Sequence, residues 1–569
     1  MQIEIFAVVL TIAITIATSI PIGRYMARVF SGGHTWLDPL FVPLERLVLR
    51  LSLVDAKEQQ DWKAYARSLV TSNLVMWLAT FAIITLQGVL FLNPDGIAGM
   101  EPTLAFHTIS SFTTNTNLQH YSGESSLSYL SQMIAITFLQ FVTAATGMAA
   151  LVAIIRALGG NRLTALGNFY VDTTRAAVRV LLPLSLVVAT LILWQGTPMT
   201  FEGATKASTL EGQEQTIARG PVAAMVAIKQ LGTNGGGYFG PNSTHPYENP
   251  TPLSNLLETW SILVIPMGMV WTLGEILRRR RLSTVIFATM LALYLPLVAL
   301  AVSQEIGGNP AIAAMGVDQS TGSMEGKEVR FGAAMSALWA TSTTVTSNGS
   351  VNSMHDSMTA LGGLVPFTGM WLNNIFGGVG VGFINMFIFI IVAVFIAGMM
   401  IGRTPEFLGK KVEGREMKLA SLALLLHPLL ILGGTAVASY LWATAPDPNT
   451  SLAWLKNPGS HGFSEMLYEF SSAAANNGSG FEGLGDNTPF WNIATGLAMI
   501  LGRYVPIIAP LALAASVAAK PVAPESAGSL GADTATFGLT LWCVVVILGL
   551  LMFMPVAVLG PIAEHLAVR

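Results

Sequence analysis

GTNGGGYF at residues 232–239 has three counterparts along the chain: TTNTNLQH at 113–120, TSNGSVN at 346–352 and NNGSGF at 476–481. Read singly, each is the kind of Asn- and Gly-rich stretch that makes a turn. Placed with Asn117, Gly235, Gly349 and Gly478 in one column, they are spaced by 118, 114 and 129 residues. A near-constant period of that kind marks internal repeats.

Each polar run follows a short helix-like stretch, such as LAFHTISSF at 104–112 or SEMLYEFSS at 464–472. These are about one-third to one-half of a membrane span, so they can only dip in and return. Irregular backbone at membrane depth is tolerated only where protein buries it or where it lines a water-filled cavity. Four such units therefore imply one pore. A dehydrated cation needs oxygen ligands in place of its water shell, and rings of backbone carbonyls supply them without full charges. Turning successive carbonyls to one side requires residues that tolerate positive φ, which Gly does freely and Asn better than most. The column holds three Gly and one Asn, preceded by Asn115-Thr116, Thr233-Asn234, Ser347-Asn348 and Asn476-Asn477. Small polar side chains there are expected to brace the carbonyls from behind. No carboxylate lies in any of the four runs, which disfavours a divalent site, and the short helices aim their negative C-terminal ends at the same place.

Composition agrees with a polytopic membrane protein. Of 569 residues, 52% are apolar and 11% charged, against about 25% charged in ordinary soluble domains, and the mean hydropathy is +0.59. A single cysteine, Cys543, excludes an internal disulfide or a thiolate cluster, and a net charge of −3 gives no reason to expect nucleic acid. Apolar runs near 3–22, 68–92, 129–155, 176–196, 255–277, 282–302, 364–402, 418–444, 490–518 and 536–560 make ten candidate spans. Alternate loops hold 21 Lys and Arg against seven in the others, with Arg503 inside a span. That bias places both termini on the extracytoplasmic side. The expected architecture is all-α: four helix–pore helix–polar run–helix repeats at 64–157, 171–277, 282–402 and 417–518, with an extra helix at 1–30 and another at 534–569.

The seventh span is too long for one straight helix and contains Asn373, Asn374 and FGGVGVG at 376–382. Gly377, Gly378, Gly380 and Gly382 would be costly in mid-bilayer unless the backbone unwinds to line a cavity, so the segment reads as a gate below the pore runs. Arg403 follows that span and could repel cations leaving straight through. Arg503 is an intramembrane charge, read as a structural ion pair, as a snorkelling side chain or as a neighbour of the ion path. His107, His120, His245, His355 and His461 show no metal-ligand spacing and are expected to be hydrogen-bond partners.

LGTNGGGYF with STHPYENPT (243–251), MEGKEVRFG (324–332), MHDSMTALGGLVP (354–366), IGRTPEFLGKK (401–411), NPGSHGFSEMLYEFSSAAANNGS (457–479) and SFTTNTNLQHYSGE (111–124) resemble, essentially end to end, the KdpA family. Its members are the potassium-binding subunits of Kdp potassium-transporting P-type ATPases, within a wider superfamily of transporters built from fused channel-like units. The resemblance implies a backbone-carbonyl filter for K+ at Asn115, Thr116, Asn117, Thr233, Asn234, Gly235, Ser347, Asn348, Gly349, Asn476, Asn477 and Gly478, with Gln119 at an affinity-tuning position. Leu118 stands where an aromatic also occurs, and Asn348 where Cys can stand. The resemblance also implies a bacterial inner-membrane complex with an ATP-hydrolysing subunit (KdpB), a single-span subunit (KdpC) and a small stabilising subunit (KdpF) amid membrane lipid. Potassium would pass laterally to the ATPase through an intersubunit tunnel. The sequence has no GxxxxGK[ST] or DKTG and no inside loop large enough for a nucleotide domain, so this chain is expected to bind no nucleotide. The alternative is a stand-alone Trk/Ktr-like potassium channel or ion-coupled transporter. An intramembrane enzyme would need paired acids, metal ligands or a nucleophile–base pattern that the spans lack.

Overall fold

In the computed structural model, residues 2–400, 402–445, 454–457, 459–522 and 531–568 are described. Met1 and Arg569, on which the reading of the termini draws, lie outside them. Ten helices among the described residues are long and apolar enough to cross a membrane: Gln2–Phe30, Trp62–Val89, Ser131–Gly159, Phe169–Gln195, Pro252–Ile276, Arg280–Ala314, Val381–Met400, Gly414–Thr444, Pro489–Ala518 and Ala535–Ala567. Between the two long helices of each unit, a short helix leads into the polar run: Pro102–Thr113, Val222–Leu231, Gly332–Val345 and Ser460–Ala475.

Burial divides each unit the same way. The second long helices (Ser131–Gly159, Pro252–Ile276, Val381–Met400 and Pro489–Ala518) are 61 to 83% buried over their apolar windows, and the first long helices only 22 to 44%. The second helices therefore form an inner layer around the short helices, and the first helices form the outer, apolar wall that a bilayer covers. Two inner helices open on the same signal, Thr-Pro. Thr251 accepts from Ser254 N and Thr488 from Trp491 N, with Pro252 and Pro489 at the first helical position, where a missing N–H costs nothing.

The two extra helices complete the outer wall. Gln2–Phe30 crosses Pro252–Ile276 so closely that a methyl on Gly23 would lie 2.5 Å from the Gly268 carbonyl and 2.6 Å from Trp271 Cβ. Thr272 Oγ1 donates to Gly23 O at 3.1 Å and Trp271 Nε1 to Ser19 Oγ at 3.1 Å. The last helix sets Gly538 against Val285 and Thr289, and Gly549 against Leu372.

The long seventh run is broken as its composition demands. Ala360–Leu372 ends at Asn373 in a left-handed turn, residues 373–380 are irregular, and Val381–Met400 resumes the path. Three elements were not anticipated. An amphipathic helix, Asp38–Leu51, buries Phe41, Glu45 and Leu49, with Glu45 Oε1 accepting from Arg175 Nε at 3.0 Å. Two small antiparallel ladders, Thr205–Ser208 with Glu214–Ile217 and Glu406–Phe407 with Lys410–Lys411, sit in connecting loops. Gly23→Leu is expected to destabilise the fold by about 1–3 kcal/mol, because the helix pair cannot approach around the larger side chain. The lowered midpoint in a thermal unfolding assay of the purified protein checks it.

Candidate functional site: a ring of four polar runs

The four short helices each end beside their polar run, and the backbone then repeats one conformation four times. At the start of the repeated triplet in each run the backbone is left-handed: Asn115 (φ 60°), Thr233 (46°), Ser347 (49°) and Asn476 (52°). Two residues on, Asn117 (59°), Gly235 (83°), Gly349 (87°) and Gly478 (106°) are left-handed again. The residue between has negative φ, so handedness alternates along the run. Left-handed Thr and Ser are strained, and strain of this kind gathers where surrounding structure and function demand it.

The amides are directed away from the ring. Thr116 N and Asn117 N both donate to Ser111 O, Asn234 N and Gly235 N to Lys229 O, and Asn348 N and Gly349 N to Thr343 O. Asn477 N donates to Ser472 O, and Gly478 N to Ser472 Oγ at 2.9 Å. In every repeat the anchor lies five residues before the middle residue, in the last turn of the short helix. These bonds satisfy donors and helix-end carbonyls at once. The carbonyls of the middle residues, Thr116, Asn234, Asn348 and Asn477, accept no hydrogen bond among the described residues.

Contacts between runs close the circle. A methyl on Gly235 would lie 1.9 Å from Asn348 O, one on Gly349 2.1 Å from Asn477 O, and one on Gly478 2.0 Å from Thr116 O. Between the first and second runs, Asn115 Nδ2 donates to Thr233 O at 3.0 Å, and the Asn115 and Asn234 amides meet at 2.6 Å. Behind the ring, Asn348 Nδ2 reaches back to Lys229 O (3.1 Å), and Asn477 Nδ2 to Thr343 O (2.9 Å). Their amide oxygens accept from Ser350 N at 2.9 Å and Ser479 N at 3.0 Å, so Asn-Gly-Ser is one structural unit used twice. Asn476 Nδ2 donates to Thr116 Oγ1 at 2.9 Å. Gln119 grips Gly237, accepting from its N at 2.7 Å and donating to its O at 3.0 Å, and so ties the first run to the second.

The broken helix passes under the inner end of this ring. Val379 N donates to Thr233 Oγ1 at 2.8 Å, Ser347 Oγ to Asn373 Oδ1 at 2.7 Å, and Asn373 Nδ2 to Ala475 O at 3.2 Å. A methyl on Gly380 would meet Gly147 O at 2.1 Å, and one on Gly382 would meet Gly377 C and Cα at the same distance. Gly378 sits nearest Ser347, Thr346 and Thr233. Asn374 is buried with both amide atoms unpartnered among the described residues. Arg503 lies here too, donating from Nη2 to Thr143 O at 3.4 Å and next to Gly147, with no carboxylate paired to it among the described residues. Arg403 lies elsewhere. It is exposed, past the end of Val381–Met400, about 30 Å of helix from the glycine segment.

Of His107, His120, His245, His355 and His461, all but His107 hydrogen-bond around the ring's outer wall. His120 bridges Asn492 (2.7 Å) and Glu469 (2.9 Å), His355 meets Tyr468 OH (2.8 Å), His461 joins Asp356 (2.9 Å) and Glu564 (3.0 Å), and His245 accepts from Tyr247 N (3.1 Å). His107 stacks on His120 with ring centres 3.6 Å apart. Burial alone would lower His120, but Asp486 and Glu469 outweigh it and raise the imidazole to about 9. Sequence reasoning did not single out Lys229 and Asn242 behind the second run, or Thr143 and Gly147 under it. Lys229 in VAAMVAIKQL, a helix apolar but for it and Gln230, was the available signal.

Four channel-like repeats closed around such a ring define a polytopic membrane protein of the fused-pore-repeat class. The solved potassium transporter TrkH from Vibrio parahaemolyticus shares the fold, with a TM-score of 0.51 at 14% identity over 89% of this chain and 98% of that one. Residues 9–566 match the family described as KdpA, potassium-transporting ATPase A subunit, and the chain belongs to that family. Relatives named potassium-transporting ATPase potassium-binding subunit include those of Phocaeicola vulgatus, 52% identical, and Flavobacterium psychrophilum, 51% identical, each over the full length of both chains.

Gly478→Ala is expected to cost about 1–3 kcal/mol, since its methyl would meet the Thr116 carbonyl at a left-handed position. Gly433→Ala, in open space on an outer helix, is the control. Thermal unfolding of the two variants checks the difference.

Proposed function

We propose that this chain is the potassium-binding and translocating subunit of an ATP-driven potassium uptake complex in the bacterial inner membrane, with both termini extracytoplasmic. The observation that carries the reading is the set of four middle carbonyls, one from each repeat, left without donors in a ring whose amides are all tied back. Such carbonyls replace the water shell of a monovalent cation. K+ enters from the extracytoplasmic side and is coordinated by the runs at 115–117, 233–235, 347–349 and 476–478, with Gln119 tuning affinity through its hold on Gly237.

The segment at 373–382 then acts as a gate. Its bonds to Thr233, Ser347 and Ala475 hold it across the inner end of the ring, and the Arg503 charge beside it opposes a cation moving straight down. A crevice lined by Trp371, Asn373, Asn385, His427, Ala474 and Gly502 includes Asn373 of the gate segment, a starting point for lateral delivery through an intersubunit tunnel. ATP hydrolysis belongs to a partner P-type subunit (KdpB), with KdpC and KdpF completing the complex. Phosphoryl transfer needs a phosphate cradle, a metal-binding carboxylate and a phosphoryl acceptor.

In the assembled complex, Gly235→Asp and Gly349→Asp are expected to raise the potassium concentration that half-maximally stimulates ATP hydrolysis by at least about tenfold, because a side chain and a charge enter a ring of carbonyls. Unchanged half-saturation in both variants would remove these residues from the ion path. Deleting part of 376–382 is expected to let potassium leak down its gradient without ATP in liposomes. A tight deletion variant would reduce the segment to helix packing.

A further inference from the structure

The ring is not fourfold where it faces outward, and the difference has a built cause. At the anchor position three repeats carry a small hydroxyl, and each bonds within its own run. Ser111 Oγ donates to Leu118 O (2.9 Å), Thr343 Oγ1 to Asn348 Oδ1 (3.2 Å), and Ser472 Oγ accepts from Gly478 N (2.9 Å). The second repeat has Lys229 instead, fully buried and ion-paired to the equally buried Glu248. Lys229 Nζ also donates to Asn242 Oδ1 at 2.8 Å, and Ser243 N donates to the same oxygen at 2.8 Å. With Oδ1 held by two donors, Asn242 must turn its Nδ2 the other way, and it donates to the Gly235 carbonyl at 2.7 Å. Glu248 is fixed in turn, its Oε1 accepting from Phe239 N at 2.9 Å. The carbonyls of Asn117, Gly349 and Gly478, the other three members of that level, accept no hydrogen bond among the described residues.

We propose that Asn242, oriented by the Lys229–Glu248 pair, is a positioning residue for ion selectivity: it holds the Gly235 carbonyl in a fixed direction and makes the outer level of the ring a three-plus-one site. The inference rests on the proposed potassium-coordinating role of the ring. A carbonyl already bonded to an amide gives less of its oxygen to an ion and cannot swing to follow one of another radius. The outer level therefore discriminates by a rigid, uneven cage. Asn242 itself is left-handed (φ 57°) and buried, a conformation that Asn, Asp and Gly accept.

Asn242→Gly keeps that backbone and removes the donor, and Asn242→Asp keeps the shape while offering Gly235 an acceptor. In the assembled complex, the concentrations of K+ and of Rb+ that half-maximally stimulate ATP hydrolysis are measured for both variants and the parent. The expected result is a fall of the Rb+ to K+ ratio by roughly fivefold in both, the change that loss of one hydrogen bond supports. A merely structural role would lower the yield of complex and the maximal rate and leave the ratio where it was. A ratio within about twofold of the parent in both assembled variants overturns the proposal, twofold being the least that one hydrogen bond is worth. If Gly349→Asp also leaves potassium half-saturation unmoved, the ring's proposed role fails with it. If that variant alone moves it, only the role of Asn242 is lost.

Discussion

Backbone amides at the inner ends of four short helices must find partners where no bulk water reaches, and the structure answers that constraint in one way four times. The donors of each polar run turn back onto one residue in the last turn of the helix before it, Ser111, Lys229, Thr343 or Ser472, on its carbonyl in every case but Gly478 N, which takes the Ser472 hydroxyl. Once the donors are consumed behind the ring, the middle carbonyls are what remains. The alternation of left- and right-handed residues follows from this fold-back, and so does the demand for Gly or Asn at the third position. Close approach of neighbouring runs at Gly235, Gly349 and Gly478 then makes any Cβ there collide with a carbonyl of the next run.

The layers around the ring exist to hold it. Inner helices, mostly buried, press on the short helices, while outer helices show their apolar faces to lipid. Pseudo-symmetry ends where the function proposed for each repeat differs. The third repeat breaks its inner helix, and three side-chain hydrogen bonds pin the resulting loop to the second and third runs and to the end of the fourth short helix. The fourth supplies Arg503 under the ring. The second replaces a hydroxyl by Lys229 and so gains a buried ion pair, whose desolvation is tolerable only because Glu248, Asn242 and Phe239 N satisfy it together.

Much of this was legible in the sequence, for stated reasons. Span number, the four short helices and the broken seventh run follow from apolar length and glycine placement, which act locally. The column of Asn117, Gly235, Gly349 and Gly478 was readable because positive φ selects few residues. What could not be read was which side chains meet across repeats. Asn115 reaching Thr233, Gln119 gripping Gly237 and Arg503 settling beside Gly147 each join residues more than a hundred positions apart, or on helices whose rotation only packing fixes. Arg403 and Arg503 show the limit well. Both are charges near apolar runs, yet only Arg503 lies under the ring. The amphipathic helix Asp38–Leu51 is hidden because a count of Lys and Arg by loop registers its Arg46 and Arg50 without their helical spacing.

The most direct measurement is to see the ion. Crystals or frozen grids of the assembled complex with Rb+ or Tl+ in place of K+ should show a strong scatterer among the carbonyls of Thr116, Asn234, Asn348 and Asn477, and K+ but not Na+ at the same concentration should displace it. A heavy ion bound elsewhere with the ring empty, or equal displacement by sodium, would contradict the account.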